Sequence, residues 1–340
     1  MEISCWYNRL LVKTVLATLY ILWAAGIGSA QEYKKVVDLN QHWKFSIGDD
    51  PRWAASDYDD SGWESIQVPS AWENQGFYGY DGYAWYRTGF DKPHVLKGQS
   101  VYLQLGNVDD VDEVFINGKR IGKSGSFPPR YATAYNSYRL YYIPGEVLQQ
   151  RNTIAVRVYD DGGEGGIING DIALVIDRDA IPVDVDLQGT WKFKTGKYAH
   201  EDIEELKEWD EIIVPGYWEN QGYKNYDGYA CYALEFEVDE EVLADRMVLV
   251  MGKIDDLDQV YLNGVLVGQS GVFSPSRMNW NSYLQLRGYY LPVNLVRVGS
   301  INLLVVRVYD HVNGGGIYRG SVGLISQEHY IKYWNNRRRR

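Results

Sequence analysis

Two acidic runs occupy matching places in this chain. Asp109, Asp110, Asp112 and Glu113 lie in its first half, and Asp255, Asp256 and Asp258, followed by Gln259, lie in its second. Strand alternation puts Asp110 and Asp112 on one face and Asp109 and Glu113 on the other. A carboxylate pair about 5–10 Å apart in a cleft would suit acid–base attack on a glycosidic bond. Duplication favours a structural role instead, as a hairpin closure or as hard oxygen ligands for Ca²⁺. The expectation is a metal-free structural role, with structural Ca²⁺ as the alternative and no other cofactor. The histidines His42, His94, His200 and His329 lack metal-ligand spacing, and no metal site is assigned.

A second set of residues differs between the halves. Arg87 has Ala233 as its counterpart, His311 stands where Asp161 does, and Arg319 stands where Asn169 does. These fit β-elimination from a uronic acid. Arg87, Arg130 or Arg319 would neutralise the carboxylate. His311 or a tyrosine would take the C5 proton, and Tyr83 or Tyr229 would protonate the leaving oxygen. A binding role uses the aromatics instead. Trp72, Tyr78, Tyr80 and Trp85, with Arg130, and Trp218, Tyr223 and Tyr226 are candidates for stacking on sugar rings. The Gly-rich loops after Tyr159 and Tyr309 allow close backbone approach to a ligand. They are not phosphate cradles, because no Lys-Ser/Thr follows.

The elements that must position these residues come in two copies. VPSAWENQGFYGYDGYAWY, from Val68 to Tyr86, recurs as VPGYWENQGYKNYDGYACY, from Val214 to Tyr232. One module has been duplicated. Each copy opens with apolar–polar alternation around a tryptophan, Trp43 or Trp191, as a half-buried strand requires. Pro69 and Pro215 end a short strand and begin a loop. Asn117-Gly118 and Asn263-Gly264 sit between alternating apolar runs, the pattern of a two-residue hairpin turn. Glu201 to Lys207 is the single helix candidate. Many short strands with regular turn signals predict an all-β fold of two tandem sandwiches.

Composition bounds the rest. The 340 residues suffice for two domains, each with its own core. A net charge of −11 argues against nucleic acid as a partner, since phosphate binding needs a basic surface. Twelve Trp and 29 Tyr suit surfaces that grip sugars. Residues 1–30 read as a signal peptide: Arg9 and Lys13, an apolar run from Thr14 to Ile27, and Gly28-Ser29-Ala30 before Gln31. The apolar run is short for a membrane span. A secreted or periplasmic protein is expected. After the leader only Cys231 remains, in the place of Trp85, which excludes an intrachain disulfide.

Taken together, Val68-Pro69-Ser70-Ala71-Trp72, Trp85-Tyr86-Arg87, Val114 to Gly118, Asn152 to Val158 and Gly315-Gly316-Ile317-Tyr318-Arg319 resemble a known pattern. It is that of the jelly-roll, galactose-binding-like domain of family 2 glycoside hydrolases, the β-galactosidase and β-glucuronidase group. The resemblance covers nearly the whole chain after the leader, twice. The repeat sets a first module at 31–179 and a second at 180–327, with the seam at Asp177 to Pro182, and the four arginines that end the chain read as a solvated, disordered basic tail at 328–340. The resemblance implies affinity for an oligo- or polysaccharide and a place in polysaccharide degradation; an acidic sugar stays open because one local Arg cluster is enough for a carboxylate. Enzymes of that family continue into an immunoglobulin-like domain and a catalytic (β/α)₈ barrel. This chain ends before either, so the resemblance does not extend to glycosidase activity. Two readings follow: a tandem sugar-binding protein, or a lyase or dehydratase acting by β-elimination.

Overall fold

A computed structural model describes residues 33–94, 100–178, 180–198, 205–242, 246–271 and 282–338. The leader expected at residues 1–30 lies outside them. So do residues 201–204 of the helix candidate; Leu206–Glu208 forms one 3₁₀ turn.

Each half folds as two antiparallel sheets around one core. In the first, a six-stranded sheet runs in the order Glu64–Val68, Gln41–Ile47, Gly82–Asp91, Arg151–Asp160, Val111–Ile116, Lys119–Ser124. Facing it, Val101–Asp109 pairs with Ala173–Asp177, Gly166–Asn169 and Tyr138–Ile143, and Tyr33–Asp38 adds to the edge. The second half repeats the six-stranded order with Asp210–Val214, Gly189–Thr195, Gly228–Phe236, Asn302–Asp310, Leu257–Leu262 and Val265–Ser270. Its other sheet is Val185–Asp186, Gly316–Ser326, Met247–Asp255 and Leu286–Tyr290. The expected all-β pair of jelly-roll sandwiches is what forms.

Period-two patterning explains the cores. Along Arg151–Asp160 the side chains of Ile154, Val156 and Val158 point inward onto Leu103, Leu105 and Leu174. Leu304, Val306 and Val308 do the same against Leu249, Met251 and Leu324. The Asn-Gly turns are as the sequence requires: Asn117 and Gly118 have φ of 52° and 80°, and Asn263 and Gly264 have 51° and 82°. The strands before the prolines stop at Val68 and Val214.

Two expectations are corrected. The chain end is a helix, Gln327–Arg337, whose first turn is capped by Ser326 Oγ accepting from His329 N–H. Its Tyr330 and Tyr333 pack on Ile181, Val183, Val248, Val250 and Ile325. Hydrophobic contact, which a run of arginines hides from a charge-based reading, orders the segment. The acidic runs do not simply alternate either. Asp110 lies in the turn between Val101–Asp109 and Val111–Ile116. Asp112 and Asp258 are fully buried ion-pair partners of Arg139 and Arg287, at 2.7 and 2.9 Å.

The two modules touch. Tyr142 Oη donates to Asp186 Oδ2 (3.1 Å), and Ser100 and Gln188 exchange hydrogen bonds. Lys224 Nζ donates to the Thr133 carbonyl (2.6 Å), and Ile213 packs on Tyr102, Tyr142, Ala173 and Val175.

Candidate functional site

The outer face of the first module's second sheet is tyrosine-rich. Tyr138, Leu140 and Tyr142 alternate outward while Tyr141 and Ile143 turn into the core. Tyr33 and Tyr102 meet edge-on at 5.8 Å, and Tyr102 and Tyr142 at 5.7 Å. An apolar outer face on an antiparallel sheet needs a cover. The second module covers part of it and leaves a cleft of about 300 Å³.

The second module supplies the far wall, Tyr217, Tyr318 and Arg319 among its residues. Tyr217 and Tyr318 stack in parallel, 4.8 Å apart and 14° from coplanar. Gln221 holds the Tyr217 loop in place. Its Nε2 donates to the Ile213 carbonyl (2.9 Å) and its Oε1 accepts from Ile213 N–H (2.6 Å). Arg319 reaches across the seam, with Nε 3.5 Å from Asp177 Oδ2 and its guanidinium 5.0 Å from the Tyr33 ring centre. Burial pushes the Tyr318 phenol up to about 12 and Tyr217 further still, so both keep their protons at neutral pH. Flat aromatic faces, phenol donors, the Asn220 amide and a guanidinium suit a polyhydroxylated ring.

The cleft gathers residues in which the halves differ. Tyr217 takes the place of Ala71 in the repeat, Tyr318 that of Ile168, and Arg319 that of Asn169. Arg319 was among the residues singled out from sequence. The tyrosines were not, although the alternation in Tyr138-Arg139-Leu140-Tyr141-Tyr142 already puts a large polar-tipped face outward.

Most of the other candidates are placed elsewhere. Trp72, Trp85 and Trp218 are fully buried, which corrects their assignment as sugar platforms. Trp72 and Trp218 each donate from Nε1 to a loop carbonyl, of Tyr80 and Tyr226, at 3.0 Å. The Gly-rich loops lie flat on these rings: a Cβ on Gly165 would sit 2.2 Å from Trp72, and one on Gly315 2.1 Å from Trp218. The glycines thus admit a tryptophan at the place where a ligand was expected.

Tyr80 and Tyr226 are half-buried struts whose hydroxyls donate to the carbonyls of Tyr83 and Tyr229. Tyr223 packs edge-on against Phe193 and donates to Asp210. Tyr78 is 93% exposed, and Arg130 is exposed as well.

Arg87 is 2% exposed. Its Nε binds Asp60 Oδ2 at 2.7 Å, and its Nη1 donates to the carbonyls of Trp53 and Ala55. It clamps the 51–60 loop, which corrects its role as a substrate cation. A hollow of about 410 Å³ with His42, Lys44 and Tyr58 in its walls opens beside it, apart from the Arg319 cleft. Tyr83 is stacked on Phe127 with the Arg157 guanidinium over both rings. Tyr229 meets Tyr309 at 4.7 Å. His311 is exposed, and its backbone N–H donates to Asp256. With Arg87 committed to Asp60 and Arg319 in a different hollow, the elimination set is not gathered in one place.

The acidic runs yield two matched trios instead. Asp109, Asp110 and Asp160, and Asp255, Asp256 and Asp310, each offer carboxylate oxygens within 4.8 Å of one another. Burial raises Asp109 to about 7, Asp160 to about 6, Asp255 to about 8 and Asp310 to about 7. Burial also acts on Asp110, but hydrogen bonds from Thr133, Tyr131 and Asp161 N–H outweigh it and hold that carboxyl below the ordinary value.

A family profile described as the β-galactosidase second all-β domain matches residues 48–164. The resemblance to the β-domains of family 2 glycoside hydrolases holds. The chain is 30% identical over 161 residues to a putative β-glucuronidase of Formosa agariphila, covering 44% of this chain and 15% of that one. It is 26% identical over 133 residues to a β-galactosidase of Bacteroides ovatus, covering 36% of this chain and 15% of that one. A solved β-glucuronidase of Bacteroides uniformis aligns over 82% of this chain and 28% of its own, at 19% identity and a TM-score of 0.36. The chain therefore matches about one seventh of the length of these curated relatives. The relation to family 2 β-domains points to a carbohydrate-related role. No helix among the described residues is long and apolar enough to cross a membrane.

Proposed function

We propose that this chain is an exported carbohydrate-binding protein that holds an oligosaccharide in the cleft between its modules. One observation carries the reading. Tyr217, Tyr318 and Arg319, three of the residues that break the internal repeat, converge on the outward tyrosines of the other module. The cleft's size, about 300 Å³, is at the small end of ligand sites and suits one or two sugar units. Arg319 favours a uronic acid, whose carboxylate would compete with Asp177 for the guanidinium. The β-glucuronidase relatives carry a name that fits the same sugar class. Export to the periplasm or medium follows the leader pattern at residues 1–30, and a place in polysaccharide breakdown follows the sugar class.

The test is calorimetric titration of the purified chain with neutral and uronic-acid oligosaccharides, alongside Tyr217→Ala and Arg319→Gln. The proposal expects saturable binding, lost in Tyr217→Ala. Arg319→Gln should weaken acidic sugars at least tenfold and leave neutral ones within a factor of two. Binding that survives Tyr217→Ala unchanged, or binding to no glycan, contradicts it. Ultraviolet absorbance of an unsaturated uronate is followed in the same samples, and it should stay flat.

A further inference from the structure

We propose that each module holds one divalent cation, Ca²⁺ by its oxygen chemistry, between its three turn carboxylates: Asp109, Asp110 and Asp160 in the first, Asp255, Asp256 and Asp310 in the second. The geometry fits the ion. Ca²⁺–oxygen distances are about 2.3–2.6 Å, so two ligands of one ion lie at most about 5 Å apart. The trio oxygens are all within 4.8 Å of one another in both modules.

Proximity of acids alone would not be enough. The second observation is an unmet buried acceptor. Asp160 and Asp310 are fully buried. One oxygen of each accepts from a loop N–H, of Gly162 or Val312. The other oxygen, Oδ2, is enclosed in both modules with no donor among the described residues. A buried carboxylate oxygen without a hydrogen-bond donor is costly, and the arrangement recurs in both modules. Across the Gly-rich loop, Glu73 Oε1 is a further enclosed acceptor of the same kind, while its Oε2 accepts from Gly165 N–H.

The nearby cations do not fill the gap. Arg139 and Arg287 lie close to their trios, but their Nε atoms bind Asp112 and Asp258, and their other hydrogen bonds go to backbone carbonyls. Asp110 accepts from Tyr131 Oη (2.6 Å), Thr133 Oγ1 and Asp161 N–H, which hold its carboxyl in place at the turn. A hard cation with flexible coordination would complete the set, with water filling the open positions. Three carboxylates on turns and strand ends, with no rigid octahedral cage around them, favour Ca²⁺ over Mg²⁺, which demands a tighter octahedron.

Terbium luminescence tests this on the full chain. Tb³⁺ is a probe for Ca²⁺ sites and is sensitised by nearby tyrosine, here Tyr131 and Tyr159, and Tyr309. The unsubstituted protein at pH 7.5 should show saturable Tb³⁺ emission, displaced by Ca²⁺, with a stoichiometry of two per chain. Asp160→Asn and Asp310→Asn should each remove one equivalent, and the double variant both. Calcium added after chelator treatment should raise the melting temperature of the unsubstituted protein, a readout independent of whether the variants fold. A stoichiometry of zero or one, or a calcium-insensitive melting temperature, overturns the proposal.

Discussion

Single residues in this protein divide into those that close the fold and those left over for recognition. Arg139 and Arg287 belong to the first kind. Arg139 donates to Asp112 and to the carbonyls of Ala134 and Asp110, all away from water. Removing one partner of a buried pair leaves the other charge uncompensated, which costs about 3–5 kcal/mol. Arg139→Met should therefore lower the urea-unfolding free energy by about that amount, and Arg139→Met with Asp112→Leu by clearly less. Equal losses in the single and double variants would contradict the pairing.

Glu219 is a second residue with a definite consequence. Burial lifts its carboxyl to about 8, and both of its oxygens take the Gly315 N–H. A folded-state value above the unfolded one near 4.5 means that the native state binds the proton more tightly. This contribution to stability is fully present below about pH 4.5 and is lost as pH rises through about 8. Glu219→Gln should flatten the fall in melting temperature between pH 5 and 8.5. A slope identical to that of the unsubstituted chain would remove Glu219 from the account.

At the scale of elements, strands were the legible part of the sequence. Alternation around Trp43 and Trp191, Val-Pro at strand ends and Asn-Gly at turns each act within a few residues, and each appears where the pattern put it. The role of the tryptophans was not legible. A Tyr/Trp-rich loop beside glycines reads equally as a ligand platform or as a packing corner. The choice depends on what lies across the loop, and in the fold that is Gly165 or Gly315 pressed on a buried indole. Arg87 was misplaced for the same reason, since its partner Asp60 is 27 residues away in sequence.

The strand Lys119–Ser124 provides a test at this scale. A Cβ on Gly122 would fall 2.0 Å from the Tyr141 ring, whose hydroxyl serves Asp112 and Ser124. Gly122→Ala should cost about 1–3 kcal/mol in chemical unfolding through displacement of that ring. The same change at Gly145, where nothing lies within 4 Å, should cost far less.

At the scale of the whole molecule, the seam between modules brings the cleft together. Duplication was plain in the sequence, but which faces of the copies would meet was not. That outcome depends on an outward tyrosine sheet in one copy and a modified loop in the other, far apart along the chain. Ile213 sits in the middle of the contact, packed on Tyr102 and Tyr142. Ile213→Asp should split a single calorimetric transition into two and abolish sugar binding while leaving each module folded.

The most direct measurement is the titration of the intact chain with a uronic-acid oligosaccharide, followed by nuclear magnetic resonance of its tyrosine ring signals. Binding at the seam should shift the rings of Tyr138, Tyr217 and Tyr318 together, leave exposed Tyr78 unmoved, and vanish in Tyr217→Ala. Shifts confined to Tyr78 and its loop, with the seam silent, would contradict a sugar site between the modules.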